Sequence, residues 1–166
     1  MIKKIISGGQ TGAGQAALDA AIKLEFPYGG WISKGRRTED GKLPYTYKLK
    51  EFKSAGYPNH TEKNIMAADG TLIISHGKLL GGSVMPRKLA EKPRKPCLHV
   101  DLNKTSVFFA ASIINTWIAL HKIETLNVAR PRASKDSEIY GDTLFISILL
   151  TISLLKRYAY LKYRLS

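Results

Sequence analysis

Cysteine occurs once in the 166 residues, at Cys97, so the chain can build neither a disulfide framework nor a thiol metal cluster, and a reducing, cytoplasmic setting is the expectation. Acids are scarce: 13 Asp and Glu stand against 26 Lys and Arg, a formal net charge of +13. Such an excess favours anionic partners. It is spread along the chain rather than gathered in a tail, which points to a basic body with a local anion site. Long apolar runs are missing too. The longest, TLFISILLTISLL at 143–155, falls short of the roughly 20 residues a membrane helix needs, and the apolar run ahead of the first glycines is too short for a secretory leader. The four histidines, His60, His76, His99 and His121, show no metal-ligand spacing, so no protein-ligated metal is expected.

What is present has the pattern of one domain over residues 1–166. Apolar runs bounded by turn residues predict strands at 3–7, 28–33, 71–75, 97–101 and 125–129. Between them lie helical patterns at 13–24, at 61–68 with Thr61 as the cap, at 83–91 with Ser83 as the cap, at 106–120 and at 138–160. Strands alternating with helices predict a three-layer α/β/α fold, a mainly parallel sheet with helices on both faces. The stretch from Lys34 to Asn59 has no period and is rich in Lys, Tyr, Pro and Gly; it reads as a long ordered loop with short extended pieces.

Chemistry gathers at four strand ends. After the first strand, SGGQTGAGQAALDAA fails as a Walker loop, because Gln15 and Ala16 stand where lysine and a hydroxyl are needed. Gly12, Gly14 and Ala17 do fit the G-x-G-x-x-[GA] dinucleotide pattern between a strand and a helix. Glycine there lets the main chain approach an oxyanion, with helix N-terminal amides aimed at it. Gly8, Gly9, Gln10, Thr11 and Gly12 are therefore candidate phosphate-binding residues. The acid that would hold a ribose diol after the second strand is absent, and Lys34, Gly35, Arg36 and Arg37 suit a phosphate instead. Glu39 and Asp40 follow as an acidic pair beside these cations, able in principle to hold a metal or act as a base. A second glycine loop, HGKLLGGS, brings Gly81, Gly82 and Ser83, and NVARPR after the last strand brings Asn127, Arg130 and Arg132 to the same level. One anionic ligand bridging these loops is the leading expectation.

The segments SGGQTGAGQAALDAA, GGWISKGRRTEDG, LLGGS and ETLNVARPR, in this order, closely resemble the molybdenum-cofactor carrier family, also described as circularly permuted YpsA-like proteins, from Lys3 to about Tyr140. The resemblance implies a Rossmann-like sheet and a homo-oligomer. It also implies a bound phosphate-bearing small molecule, either a nucleotide or the pterin phosphate of molybdenum cofactor (molybdopterin). The wider superfamily includes the LOG phosphoribohydrolases and the DNA-processing protein DprA. This chain departs from the family in carrying Gly14 and Gln15 where an acid and a base are usual, Arg130 where a glycine is usual, Ser83 where a threonine is usual, and an apolar C-terminal helix.

Two other functions stay open. A LOG-like nucleoside monophosphate hydrolase would need P-G-G-x-G-T-x-x-E, but here Gly82 is followed by Ser83, Val84, Met85 and Pro86, with no acid before Glu91. Single-stranded nucleic-acid binding would rest on charge and the DprA relationship without a helix-turn-helix, zinc or RNP-type pattern. The expectation is thus a binding protein for a phosphate-bearing small molecule rather than an enzyme, with neither a membrane nor nucleic acid as partner.

Overall fold

The computed structural model describes residues 1–53, 59–79, 88 and 95–165, with the backbone alone for 59 and 154–165. Five strands form the central sheet: β1 (Lys4–Ile6), β2 (Tyr28–Gly29), β7 (Gly70–Ser75), β8 (Cys97–Asp101) and β9 (Thr125–Ala129). They pair in parallel in the order β2-β1-β9-β7-β8. The helices are α1 (Ala13–Lys23), α2 (Asn59–Ala67), α3 (Val107–Leu120) and α4 (Ile139–Leu165). β7, GTLIIS, is buried along its whole length, as a central parallel strand covered on both faces must be.

The two-residue period of the strands separates the layers. Ile5, Leu72, Ile74, Leu126 and Val128 face one side, where they form a core with Ala13, Ala17 and Ala21 of α1, Ile114 and Ile118 of α3, and Ile139 and Ile146 of α4. The alanines of α1 leave it thin on this side, and it packs extensively along α4. The intervening residues Thr71, Ile73 and Asn127 are also buried, and α2 packs against β9 and the 31–32 segment from outside the first core. The expected three-layer Rossmann-like fold is present.

One expected strand is divided. At Gly30 the backbone takes φ +128°, and a Cβ there would sit 2.1 Å from the Ser7 carbonyl oxygen. The chain turns at this point, so β2 stays in the main sheet while β3 (Trp31–Ile32) pairs in parallel with β6 (Lys50–Glu51). Between them β4 (Arg37–Thr38) and β5 (Gly41–Lys42) form a short antiparallel hairpin. Leu43 and Leu49 anchor this long excursion by closing a satellite core with Leu18 of α1 and Ile32. α1 therefore packs the central sheet through its alanines and the excursion through Leu18.

Helix boundaries follow local chemistry. Ser106 caps α3, its Oγ accepting from the Phe109 amide at 3.4 Å. α2 starts at Asn59, two residues before the expected cap, and α4 continues beyond the expected end at 160. The helix expected at 83–91 lies outside the described residues. No helix among the described residues is long and apolar enough to cross a membrane.

Replacing Gly30 with Ala forces a side chain into a glycine-only backbone region and onto a carbonyl oxygen. We expect a loss of roughly 3 kcal/mol or more, read as a lower midpoint in chemical denaturation; a midpoint within experimental error of the parent would refute the tight apposition of Gly30 and Ser7.

Candidate functional site

The winding reverses at the middle of the sheet: β1 leads outward to β2, β7 leads outward to β8 on the other side, and β9 returns between β1 and β7. Loops diverge at such a point and leave a crevice at the carboxyl ends of the strands. A cleft of about 40 Å³ opens there, lined from β1 and its loop by Ser7, Gly8 and Gln10, from α2 by His60 and Asn64, and from β9 and its loop by Asn127, Arg130 and Arg132. Its volume suits a few waters or one tetrahedral oxyanion.

The lining is polar and short of partners. Gln10 Nε2 donates to the Arg37 carbonyl at 2.9 Å, but Gln10 Oε1 is buried with no hydrogen-bond partner, and so is Arg132 Nε. Buried polar atoms left unpaired are costly, and this acceptor and this donor belong to two side chains that line one cleft, which marks the cleft wall as incompletely bonded. Asn64 is fixed by two bonds to the Trp31 backbone, at 2.9 and 2.8 Å, and Asn127 Nδ2 donates to Thr71 Oγ1 at 3.2 Å. Burial, with the positive charges of Arg130 and Arg132, pushes the His60 imidazole below its ordinary value. It stays neutral near pH 7 and leaves the positive charge of the cleft to the arginines.

Arg130 has φ +41°, a left-handed conformation that costs a residue with a Cβ about 1–2 kcal/mol. The glycine usual here in the resembled family would avoid that cost. An arginine kept in a strained backbone at a crevice is a pointer to function.

The loops around the cleft are joined by Glu39. Its carboxylate accepts from Thr11 Oγ1 at 2.7 Å, from Ser134 Oγ at 2.6 Å and from the Ser134 amide at 3.4 Å, and it pairs with Arg132 Nη1 at 3.6 Å. Burial would raise its pKa, but the hydrogen bonds from Ser134 and Thr11 and the Arg132 charge together hold it below the ordinary carboxylate value. Glu39 is thus a fixed anion tying three loops together, ill suited to taking up a proton as a base. Directly beneath, Gly12 lies with φ +83° against the loop that follows β9; a Cβ would stand 2.7 Å from both the Pro131 carbonyl oxygen and the Ala133 nitrogen.

The remaining expected site residues divide by location. Gly8, Gln10, Asn127 and Arg130 line the cleft. Gly9 does not: a Cβ on it would meet Leu43 and Leu49 at 2.8 Å, so it accommodates the satellite core. Thr11 is turned to Glu39. Arg36 is only 2% exposed, and its guanidinium donates to the carbonyls of Leu43, Leu49, Pro44 and Tyr47 at 2.9–3.2 Å, with the Tyr45 ring 4.8 Å away. Four carbonyls of an irregular loop need a buried donor, and Arg36 supplies it, so its charge organises the loop rather than neutralising a ligand. The Gly35 amide donates to Glu51 at 2.7 Å. Lys34, Arg37 and Asp40 are exposed and do not line the cleft. Gly81, Gly82 and Ser83 lie outside the described residues. Among the described residues no group of three or more His, Cys, Asp or Glu could hold a metal ion.

His60 and Asn64 on α2 escape the motif search because they follow a long aperiodic stretch that hides which way α2 faces. An asparagine one residue before buried Ile65 is the available signal. Ser7, Gly14, Val128 and Ala129, which lie within the quoted motifs, also contribute to the wall.

The fold is Rossmann-like, with a cleft at the carboxyl ends of its strands, and the sequence profile of the circularly permutated YpsA SLOG family matches residues 5–149; the chain belongs to that family. Its structure is similar to the crystal structure of a protein named "putative molybdenum carrier protein" from Syntrophus aciditrophicus SB, with 54% sequence identity over 90% of this chain and 94% of that one and a TM-score of 0.86. No curated protein matches the chain.

A second polar cluster stands beside the cleft. His76, just after β7, has Nδ1 at 2.9 Å from Asp136 and Nε2 at 3.1 Å from Asp142 at the start of α4. Burial would lower its pKa, but Asp136 and then Asp142 outweigh that and raise it above 6.5. The bridging cation therefore stabilises the fold fully below the unfolded value, and the contribution is lost as pH rises through the raised folded value. In denaturation of the parent and His76→Asn, the stability difference should be largest near about pH 6 and shrink by about pH 9; a difference independent of pH would mean that His76 is held neutral.

Proposed function

We propose that the protein binds a phosphate-bearing small molecule, with the phosphate in the cleft between Gln10, Arg130 and Arg132, and that it serves as a carrier of molybdenum cofactor. The observation that carries this reading is one cationic cleft lined by Gln10, Arg130 and Arg132, in two of which a buried polar atom, Gln10 Oε1 and Arg132 Nε, has no hydrogen-bond partner. A phosphate offers oxygens to the guanidinium groups and, when protonated on one oxygen, a donor to Gln10. The 54% identical relative named as a molybdenum carrier supports the cargo.

The cleft is the right size for the phosphate alone, so a pterin or nucleoside portion would extend from its mouth. Arg130 and Arg132 hold the charge, Asn127 and Asn64 fix the opposite walls, and neutral His60 can donate or accept one hydrogen bond. A nucleotide meets the same phosphate chemistry. Glu39 does not serve a hydrolytic reading, because it is already committed to Thr11, Ser134 and Arg132. Assembly into a homo-oligomer is part of this reading; exposed Phe108 and Phe145, in edge contact with centroids 5.4 Å apart on α3 and α4, supply an apolar surface for it.

Mass spectrometry of small molecules released from the native protein is expected to find a pterin phosphate; recovery of a nucleotide instead would change the cargo and keep the phosphate site. Arg130→Gly tests the site itself. It relieves backbone strain while adding chain entropy, so stability should stay within about 1 kcal/mol of the parent, whereas retention of the copurified ligand should fall at least about tenfold. Undiminished retention in both Arg130→Gly and Arg132→Ala would overturn the assignment.

A further inference from the structure

A second cavity, of about 230 Å³ and so larger than the cleft, opens beside the edge strand β2, at the level of the first residues of β1 and β9. Lys4, Lys48 and Lys50 line it together with Tyr28, Trp31 and the glycine pair Gly29 and Gly30. Trp31 holds two ammonium groups against its ring: Lys50 Nζ lies 5.5 Å and Lys63 Nζ 5.7 Å from the centroid. The register that pairs Trp31 with Lys50 places the first of these, and α2 brings the second. Gly29 makes room for Lys4, whose Nζ would stand only 3.4 Å from a Cβ at that position.

Three cations, Lys4, Lys48 and Lys50, thus converge on one concavity, with Lys63 against the Trp31 ring at its wall. Cations placed together repel, and natural surfaces usually intersperse acids among them. Among the described residues none of these lysines is within ion-pair distance of a carboxylate; of the acids at this end of the sheet, Glu124 pairs with Lys3 and Asp69 accepts from the Glu124 and Thr125 amides. The Trp31 ring removes part of the freedom of Lys50 and Lys63, which lowers the entropy lost when they bind an anion. A half-buried aromatic surface beside a cationic concavity is also suited to a nucleobase.

We propose that this cavity is a second anion site, separate from the cleft, that takes a polyphosphate, either free or carried by a nucleotide. A di- or triphosphate has the length and the negative charge to meet the three lining lysines together, which a single phosphate does not. Lys4, Lys48 and Lys50 bind the phosphate oxygens, and Tyr28 with Trp31 forms the apolar wall.

The test is isothermal titration of the full chain with tripolyphosphate and, separately, with ATP, at about 0.15 M salt. Both should bind, and the double variant Lys48→Gln, Lys50→Gln should weaken both roughly tenfold or more. Tighter binding of ATP than of tripolyphosphate would assign the aromatic wall to the base; equal binding would assign the site to the phosphates alone. Removing the same charge from exposed lysines at the other end of the sheet, in Lys78→Gln, Lys104→Gln, should leave affinity unchanged, and the weakening by Lys48→Gln, Lys50→Gln should persist in an Arg132→Ala background, where the cleft is already impaired. Absence of binding, an equal loss in the distant-lysine control, or a weakening that disappears in the Arg132→Ala background would overturn the proposal. Because the cleft variant is a separate arm, failure here is distinguishable from failure of the phosphate site between Gln10 and Arg132.

Discussion

The cleft depends on how closely two loops can approach each other. The loop after β1 and the loop after β9 meet at Gly12, where no side chain could stand between the backbone and Pro131 or Ala133. Glu39, arriving from the hairpin of the long excursion, then bonds to Thr11 on one side and to Ser134 and Arg132 on the other. Backbone apposition and a shared carboxylate together set the position of Arg132, a lining residue of the cleft. The glycine-rich segment thus acts first through chain-to-chain packing, and only Gly8 of its early glycines reaches the wall of the cavity beside Gly14.

Much of the fold is legible in the sequence because burial on both faces writes apolar runs and burial on one face writes a helical period. β7, β8, β9, α1 and α3 fall where those patterns place them. The turn at Gly30 is less visible, since apolar Tyr28, Trp31 and Ile32 continue the strand pattern through it, and only the approach of the Ser7 carbonyl explains why the chain leaves the sheet. The central position of β9 between β1 and β7 is a property of pairing, which no local pattern encodes.

At the site, residue type is legible and direction is not. Arg36, Arg37 and Lys34 share a run of cations, yet Arg36 is folded inward on four carbonyls while the other two remain in solvent away from the cleft. A guanidinium binds a ring of carbonyls as readily as a phosphate, so the sequence carries both readings until the fold of the loop is known. Arg130 and Arg132 take the opposite course. They sit on a strained turn at the carboxyl end of β9, where the sheet itself directs them to the crevice. The same chemistry serves stability in one loop and a ligand in the other.

The contrast between these arginines gives the most direct test of the account. In arginine-selective NMR, titration with a phosphate-bearing ligand should shift the Arg132 Nε–H resonance, whose proton has no partner in the free protein, and leave that of Arg36, already bonded to the Leu43 carbonyl, where it is. A titration that moves Arg36 and leaves Arg132 unchanged would contradict the assignment of the cleft and of the loop that builds it.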